Sequence, residues 1–307
     1  MVRGRLQLDR RGLSAARRAL AAIEGVSISS RDDLIADVTV AVRTPRALGE
    51  LRASPFVDYV EPASMRPLLA SDGWSGCSGN VGDTNSAGGD IWTGPVKTLD
   101  SQGVVVDPAP GVVGDLVPTN YLDARIPAAW SRGATGAGVT VGILGTGIFS
   151  EQGELRMPPY GTFNSGWSAG RSILYEDVST ELFPWDWNTH KAWDTCNHGT
   201  RVAGTVAAPR DSHGLVGVAW RANVVAEKVG PDVFINAWQT EAFINGLRNA
   251  VFHGAKIINT SLGTGSWQYD SMKNEILRQY YDNGILFVSA ADTTYCWEGY
   301  RLSGKPA

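Results

Sequence analysis

Four apolar runs separated by helix-patterned segments restrict the second half of this chain to very few architectures. Gly138-Val-Thr-Val-Gly-Ile-Leu144, Val218 to Val229, Ala255-Lys-Ile-Ile-Asn-Thr-Ser-Leu-Gly263 and Ile285-Leu-Phe-Val-Ser-Ala-Ala291 all read as strands. Between the second and third, Thr240 precedes a segment with apolar residues at Phe243, Ile244, Leu247 and Val251, the spacing of one buried helical face, and Gly254 ends it. Ser271 to Asn283 is another helix, closed by Gly284. Alternation of strand and helix predicts an α/β fold, a parallel sheet with helices on both faces. The nearly continuous apolar run at 138–144 suits a strand buried on both sides.

The first 65 residues follow a different pattern. Arg5-Leu-Gln-Leu8 is strand-like, Ser14 caps an Ala/Arg-rich helix from Ala15 to Ile23, and Gly25 stops it. Two β-branched runs follow, around Val26-Ser-Ile28 and from Ala36 to Val42, then a helix opened by Pro45 and a closing strand from Val57 to Pro62. The order β-α-β-β-α-β is that of a small ferredoxin-like α+β unit. Residues 70 to 117 hold ten glycines and are expected to be a linker or surface insertion. The expected division is therefore 1–65, a Gly-rich 66–117, and 118–307. The aromatic-rich stretch 149–194, with Trp167, Trp185, Trp187 and Trp193, reads as an insertion packed over the sheet.

Charge is unevenly divided. Residues 1–69 contain 11 Arg and 8 acidic residues, whereas the remainder contains 16 basic and 23 acidic ones. An acidic main part argues against a nucleic-acid partner. No run approaches the ~20 apolar residues of a membrane span, so no membrane partner is expected. The N-terminal basic residues are not followed by an apolar core, and no signal peptide is visible. Cys77, Cys196 and Cys296 permit one disulfide and a thiol, or three thiols.

The chemistry is concentrated in two motifs. Cys196-Asn-His198-Gly-Thr-Arg-Val-Ala-Gly-Thr-Val-Ala-Ala208 resembles the histidine motif of subtilisin-like serine proteases, and Val141-Gly-Ile-Leu-Gly145-Thr-Gly-Ile148 resembles the strand that carries their aspartate. The resemblance implies a subtilisin-like α/β fold, with residues 1–65 as an inhibitor-type propeptide and 118–307 as a partial peptidase domain. It implies His198 as general base, at the start of a helix whose Gly199, Ala203, Gly204, Ala207 and Ala208 let it lie close to the sheet. It places the orienting carboxylate at position 145, where this chain has glycine. Glycine and aspartate codons can differ by one base. Ser261, Leu262 and Gly263 correspond to the segment that lines the substrate cleft through backbone hydrogen bonds. Thr293 falls at the oxyanion position, with Asp292 beside it opposing negative charge.

By the same resemblance the partners are a peptide or protein substrate and the chain's own propeptide, and the protein is expected to be secreted. Calcium is the one cofactor implied, as a structural ion, with Asp186 and Asp194 as loop carboxylates that could bind it. Among His190, Cys196 and His198 there is no zinc spacing, and no metal centre is assigned. Asp194 is also the one carboxylate near His198 in sequence that could replace the missing aspartate. The chain reaches Ala307 without a Gly-Thr-Ser-x-x-x-Pro segment to carry a nucleophile. Two functions stay open: a serine endopeptidase inactive as written, or a non-catalytic relative that binds peptides or proteases. A folding-incompetent fragment is the third, weaker reading.

Overall fold

The computed structural model describes residues 2–6, 10–31, 37–62, 65–69, 96–100, 102–107, 115–148, 173–177, 194, 198–212, 214–229, 237–261, 263–264 and 271–289. The N-terminal unit is built from β1 (Val2–Leu6), α1 (Arg10–Ala21), β2 (Val26–Arg31), β3 (Asp37–Val42), α2 (Pro45–Ala53) and β4 (Val57–Pro62). Its antiparallel sheet runs β2-β3-β1-β4, the ferredoxin-like order. Helix α1 begins at Arg10, a turn before the expected Ser14 cap. The reason is its buried stripe, Leu13, Ala16, Arg17 and Leu20, which starts ahead of Ser14 and needs helical geometry from there. Thr44 caps α2 by accepting a hydrogen bond from the Ala47 amide at 3.1 Å, and Pro45 occupies the first turn.

The larger sheet has five parallel strands in the order β10-β11-β9-β13-β15. These are β9 (Thr140–Gly145), β10 (Ile173–Asp177), β11 (Asn223–Lys228), β13 (Ile257–Thr260) and β15 (Leu286–Ser289). Four of them fall within or at the end of the apolar runs, and β10 lies in the stretch 149–194 that was expected to be an insertion. Helix α5 (His198–Ala207) covers one face, where Val141, Ile143, Val224 and Ala226 meet Ala203 and Ala207. The other face takes α6 (Thr240–Phe252) and α7 (Ser271–Asp282), through Leu144, Val225 and Ile258 against Phe243, Leu247, Ala250, Ile276 and Tyr280. A Cβ at Gly142 would lie 2.9 Å from that of Ala250, so glycine there admits α6 against β9.

The Gly-rich region 66–117, expected as a linker or surface insertion, supplies most of a small antiparallel sheet. Strands β6 (Val96–Leu99), β7 (Val105–Val106) and β8 (Leu116–Pro118) pair in the order β7-β6-β8. Leu99 and Val117 are buried with Tyr121 and Val216, a satellite core that Gly-rich composition concealed. Two short helices, α3 (Thr119–Asp123) and α4 (Ile126–Trp130), follow. Tyr121 packs edge-on against Trp130, and its hydroxyl donates to the Thr205 carbonyl of α5 at 3.4 Å.

Burial pushes the Tyr121 phenol from 10.0 up to about 12. The neutral form is favoured in the folded chain, so its contribution to stability is intact below pH 10 and lost as pH rises from 10 towards 12. In Tyr121→Phe that alkaline loss is expected to shrink. Urea titrations of both proteins across this window measure it, and identical pH dependence would refute it.

Candidate active site

The strand order reverses around β9, whose partners β11 and β13 are reached by crossovers to opposite sides. Crevices outside the carboxyl ends of strands at such a reversal are where α/β sheets bind ligands. Gly145 is the last residue of β9, paired with Lys228 of β11. The chain then turns through Thr146 and Gly147, whose φ of 98° lies in the region that glycine occupies without strain.

The first turn of α5 sits directly on this turn. A Cβ added to Gly199 would land on the Gly147 carbonyl oxygen and lie 3.1 Å from its nitrogen and 3.2 Å from its carbonyl carbon. Backbone meets backbone there, and only glycine permits it. At position 145 the situation is the reverse. Its φ is not positive, and a Cβ would find Gly199 Cα at 3.5 Å as its nearest neighbour, an ordinary contact. A side chain can therefore be carried at 145, beside the start of α5, without moving the backbone.

His198 is the first residue of α5 and is half-buried; its Nε2 is buried and has no hydrogen-bond partner among the described residues. An imidazole aimed at catalysis is normally fixed by a carboxylate on its other nitrogen. Asp194, the candidate replacement, is engaged elsewhere. Its Oδ1 accepts from Thr146 Oγ1 at 2.8 Å, and its Oδ2 accepts from the Thr200 amide at 2.8 Å and from Thr200 Oγ1 at 2.6 Å. The carboxylate is fully buried. Both oxygens are thus engaged by hydroxyl and amide donors of the fold. Asp186 lies outside the described residues, and so do His190, Cys77, Cys196 and Cys296.

A second element of the site is a strand. Residues Met65–Leu69 form β5, which lies between β12 (Ala237–Gln239) and β14 (Gly263–Thr264) and is antiparallel to both. Pro67 faces Ala237 and Arg66 faces Trp238 in register; Leu69 faces Gly263 and Leu68 faces Thr264. Because Gly263 follows the end of β13, β5 runs with its carboxyl end towards the carboxyl edge of the sheet. On β13, Asn259 pairs with Ile143, which brings Ser261, two residues on, level with Gly145. The Asn259 side-chain Nδ2 donates to Ser261 Oγ at 3.1 Å. Leu262 and Thr293 lie outside the described residues.

The sequence thus brought Gly145, His198 and Ser261 to one edge, but it missed three participants. Thr146 and Thr200 each sit one residue beyond a motif position singled out, and that adjacency was their only signal. The strand-forming role of 65–69 left no signal in side-chain periodicity, since its partners are recognised through backbone. No helix among the described residues is long and apolar enough to cross a membrane.

Comparison with known proteins converges on the same region. The model of the subtilase family, peptidase S8, matches residues 136–292. Subtilisin E of Bacillus subtilis (strain 168) is 30% identical over 193 residues, 62% of this chain and 44% of that protein. The major intracellular serine protease of the same organism is 31% identical over 177 residues, 57% of this chain and 49% of that protein. The chain therefore spans somewhat under half the length of these relatives. Fervidolysin from Fervidobacterium pennivorans, a keratinolytic enzyme related to subtilisin, shares the fold with a TM-score of 0.55 at 17% identity, covering 97% of this chain and 40% of that one. With half of its length matched by the family model and its motifs at one edge of a parallel sheet, this chain belongs to the subtilase family of subtilisin-like serine proteases.

Proposed function

We propose that this chain is a subtilisin-like serine endopeptidase whose peptide cleft and general-base histidine are kept and whose hydrolytic step is disabled at position 145. The observation that carries the reading is β5, an extended segment held antiparallel between β12 and β14 with its carboxyl end towards the edge that bears Gly145 and His198. Strand addition of this kind gives affinity through main-chain hydrogen bonds and suits extended peptides and unfolded stretches of protein as substrates.

In amide hydrolysis His198 takes the proton of a serine nucleophile and returns it to the leaving amine, while a carboxylate holds the imidazole in the right tautomer. Glycine at 145 cannot hold it. In subtilisin, the measured case, loss of the aspartate alone lowers kcat by about 3 × 10⁴. The same residue favours a second reading, a non-catalytic protein that binds peptides or proteases through this cleft. On either reading residues 1–65 act as an inhibitor-type propeptide, with 65–69 as the strand that fills the cleft.

The full chain is expected to bind an extended peptide without turning it over. Calorimetric titration with such a peptide, alongside casein hydrolysis with and without a fluorophosphonate, distinguishes the cases. Fluorophosphonate-sensitive hydrolysis by the unaltered chain would show that the step is not disabled.

A further inference from the structure

Positions 145 and 198 lie on different elements, β9 and α5, and what joins them is a third group. Asp194 is fully buried, and its two oxygens divide between those elements. Oδ1 accepts from Thr146, the residue after 145; Oδ2 accepts from the amide and hydroxyl of Thr200, two residues after 198. Thr146 Oγ1 closes the loop by accepting the Gly199 amide at 2.9 Å. The Asp194 amide in turn donates to the Ile148 carbonyl at 3.3 Å.

A simple helix cap would need only the bonds to Thr200. The branch to Thr146 does nothing for the helix by itself. It ties the start of α5 to the end of β9, and charge-assisted bonds in a buried setting are short and resist displacement by water. Hydrogen bonding between an imidazole and its carboxylate tolerates only about 0.5 Å of error in placement. We infer that Asp194 is a positioning residue: through Thr146 and Thr200 it sets the spacing between the side chain at 145 and the His198 ring. This rests on the proposed roles of positions 145 and 198.

The readout is the hydrogen bond that the spacing permits. In the full chain with labelled histidines, four in all, Gly145→Asp is expected to create a low-field Nδ1 proton on His198 that the unaltered chain lacks. Adding Thr146→Val, which keeps the volume but removes the hydroxyl, is expected to abolish that signal, and Thr146→Ser to retain it. Asp194→Asn is expected to abolish it as well. Should Asp194→Asn lose its cooperative thermal transition, the Thr146 pair decides, because it leaves the carboxylate in place. An undiminished signal in a folded Thr146→Val protein overturns the inference. Absence of the signal from Gly145→Asp alone overturns the roles given to 145 and 198, and the inference with them.

Discussion

Replacing Gly199 by alanine is expected to undock α5 from the turn after β9 and to lower stability by about 3 kcal/mol or more. The added methyl would occupy the place of the Gly147 carbonyl oxygen. Neither side can yield cheaply. Gly147 is held by its positive φ, and Gly199 is held by the hydrogen bond its N–H donates to Thr146 Oγ1 and by its neighbour Thr200, which Asp194 grips. Flexible side chains move by a rotamer; two backbones must shift a helix. A loss of this size corresponds to a fall in melting temperature of roughly 10 °C. Calorimetry or urea denaturation measures it, and a variant melting within about 2 °C of the unaltered chain would contradict the packing described.

The second large effect concerns the cleft. Successive residues of a strand aim their N–H groups to opposite sides, so one of Leu68 and Leu69 donates towards β14. Substituting proline at both removes that donor. Release of β5 is expected to raise the affinity for an added peptide by on the order of 10²-fold, since a tethered strand competes at an effective concentration of about 1 mM. Fluorescence anisotropy with a labelled peptide of the sequence of residues 65–69 provides the measurement. Equal affinity for the two proteins would mean that β5 does not block the cleft.

What the sequence disclosed and what it hid divide along physical lines. Four of the five strands of the sheet and the helices on it were legible because burial on two faces imposes apolar runs and a 3.6-residue stripe, both local; the edge strand β10 was not, because it lies within the stretch 149–194 that read as an insertion. Phe243, Ile244 and Leu247 were assigned to a buried face and are buried. The ferredoxin-like order was legible for the same reason, although α1 starts earlier than its serine suggested. Strands β5, β12 and β14 were not recognised as partners, because their pairing is made by main chain across long separations and Pro67 disguises the strand. Asp194 was weighed as a spare carboxylate or a cation ligand. Its actual bonds come from Thr146 and Thr200, residues 48 and 6 positions away, a convergence that exists only after folding.

The contact of Gly147 with Gly199 has a consequence for how such a protein changes over time. These residues lie in the two motifs that carry the family resemblance, yet what demands them here is the docking of a helix on a sheet. Selection for a folded chain alone will keep them, along with the buried aspartate, whether or not any bond is ever cleaved. A lineage that drops its carboxylate at 145 therefore leaves the rest of the frame intact. Position 145 itself still has room for a side chain beside the start of that helix.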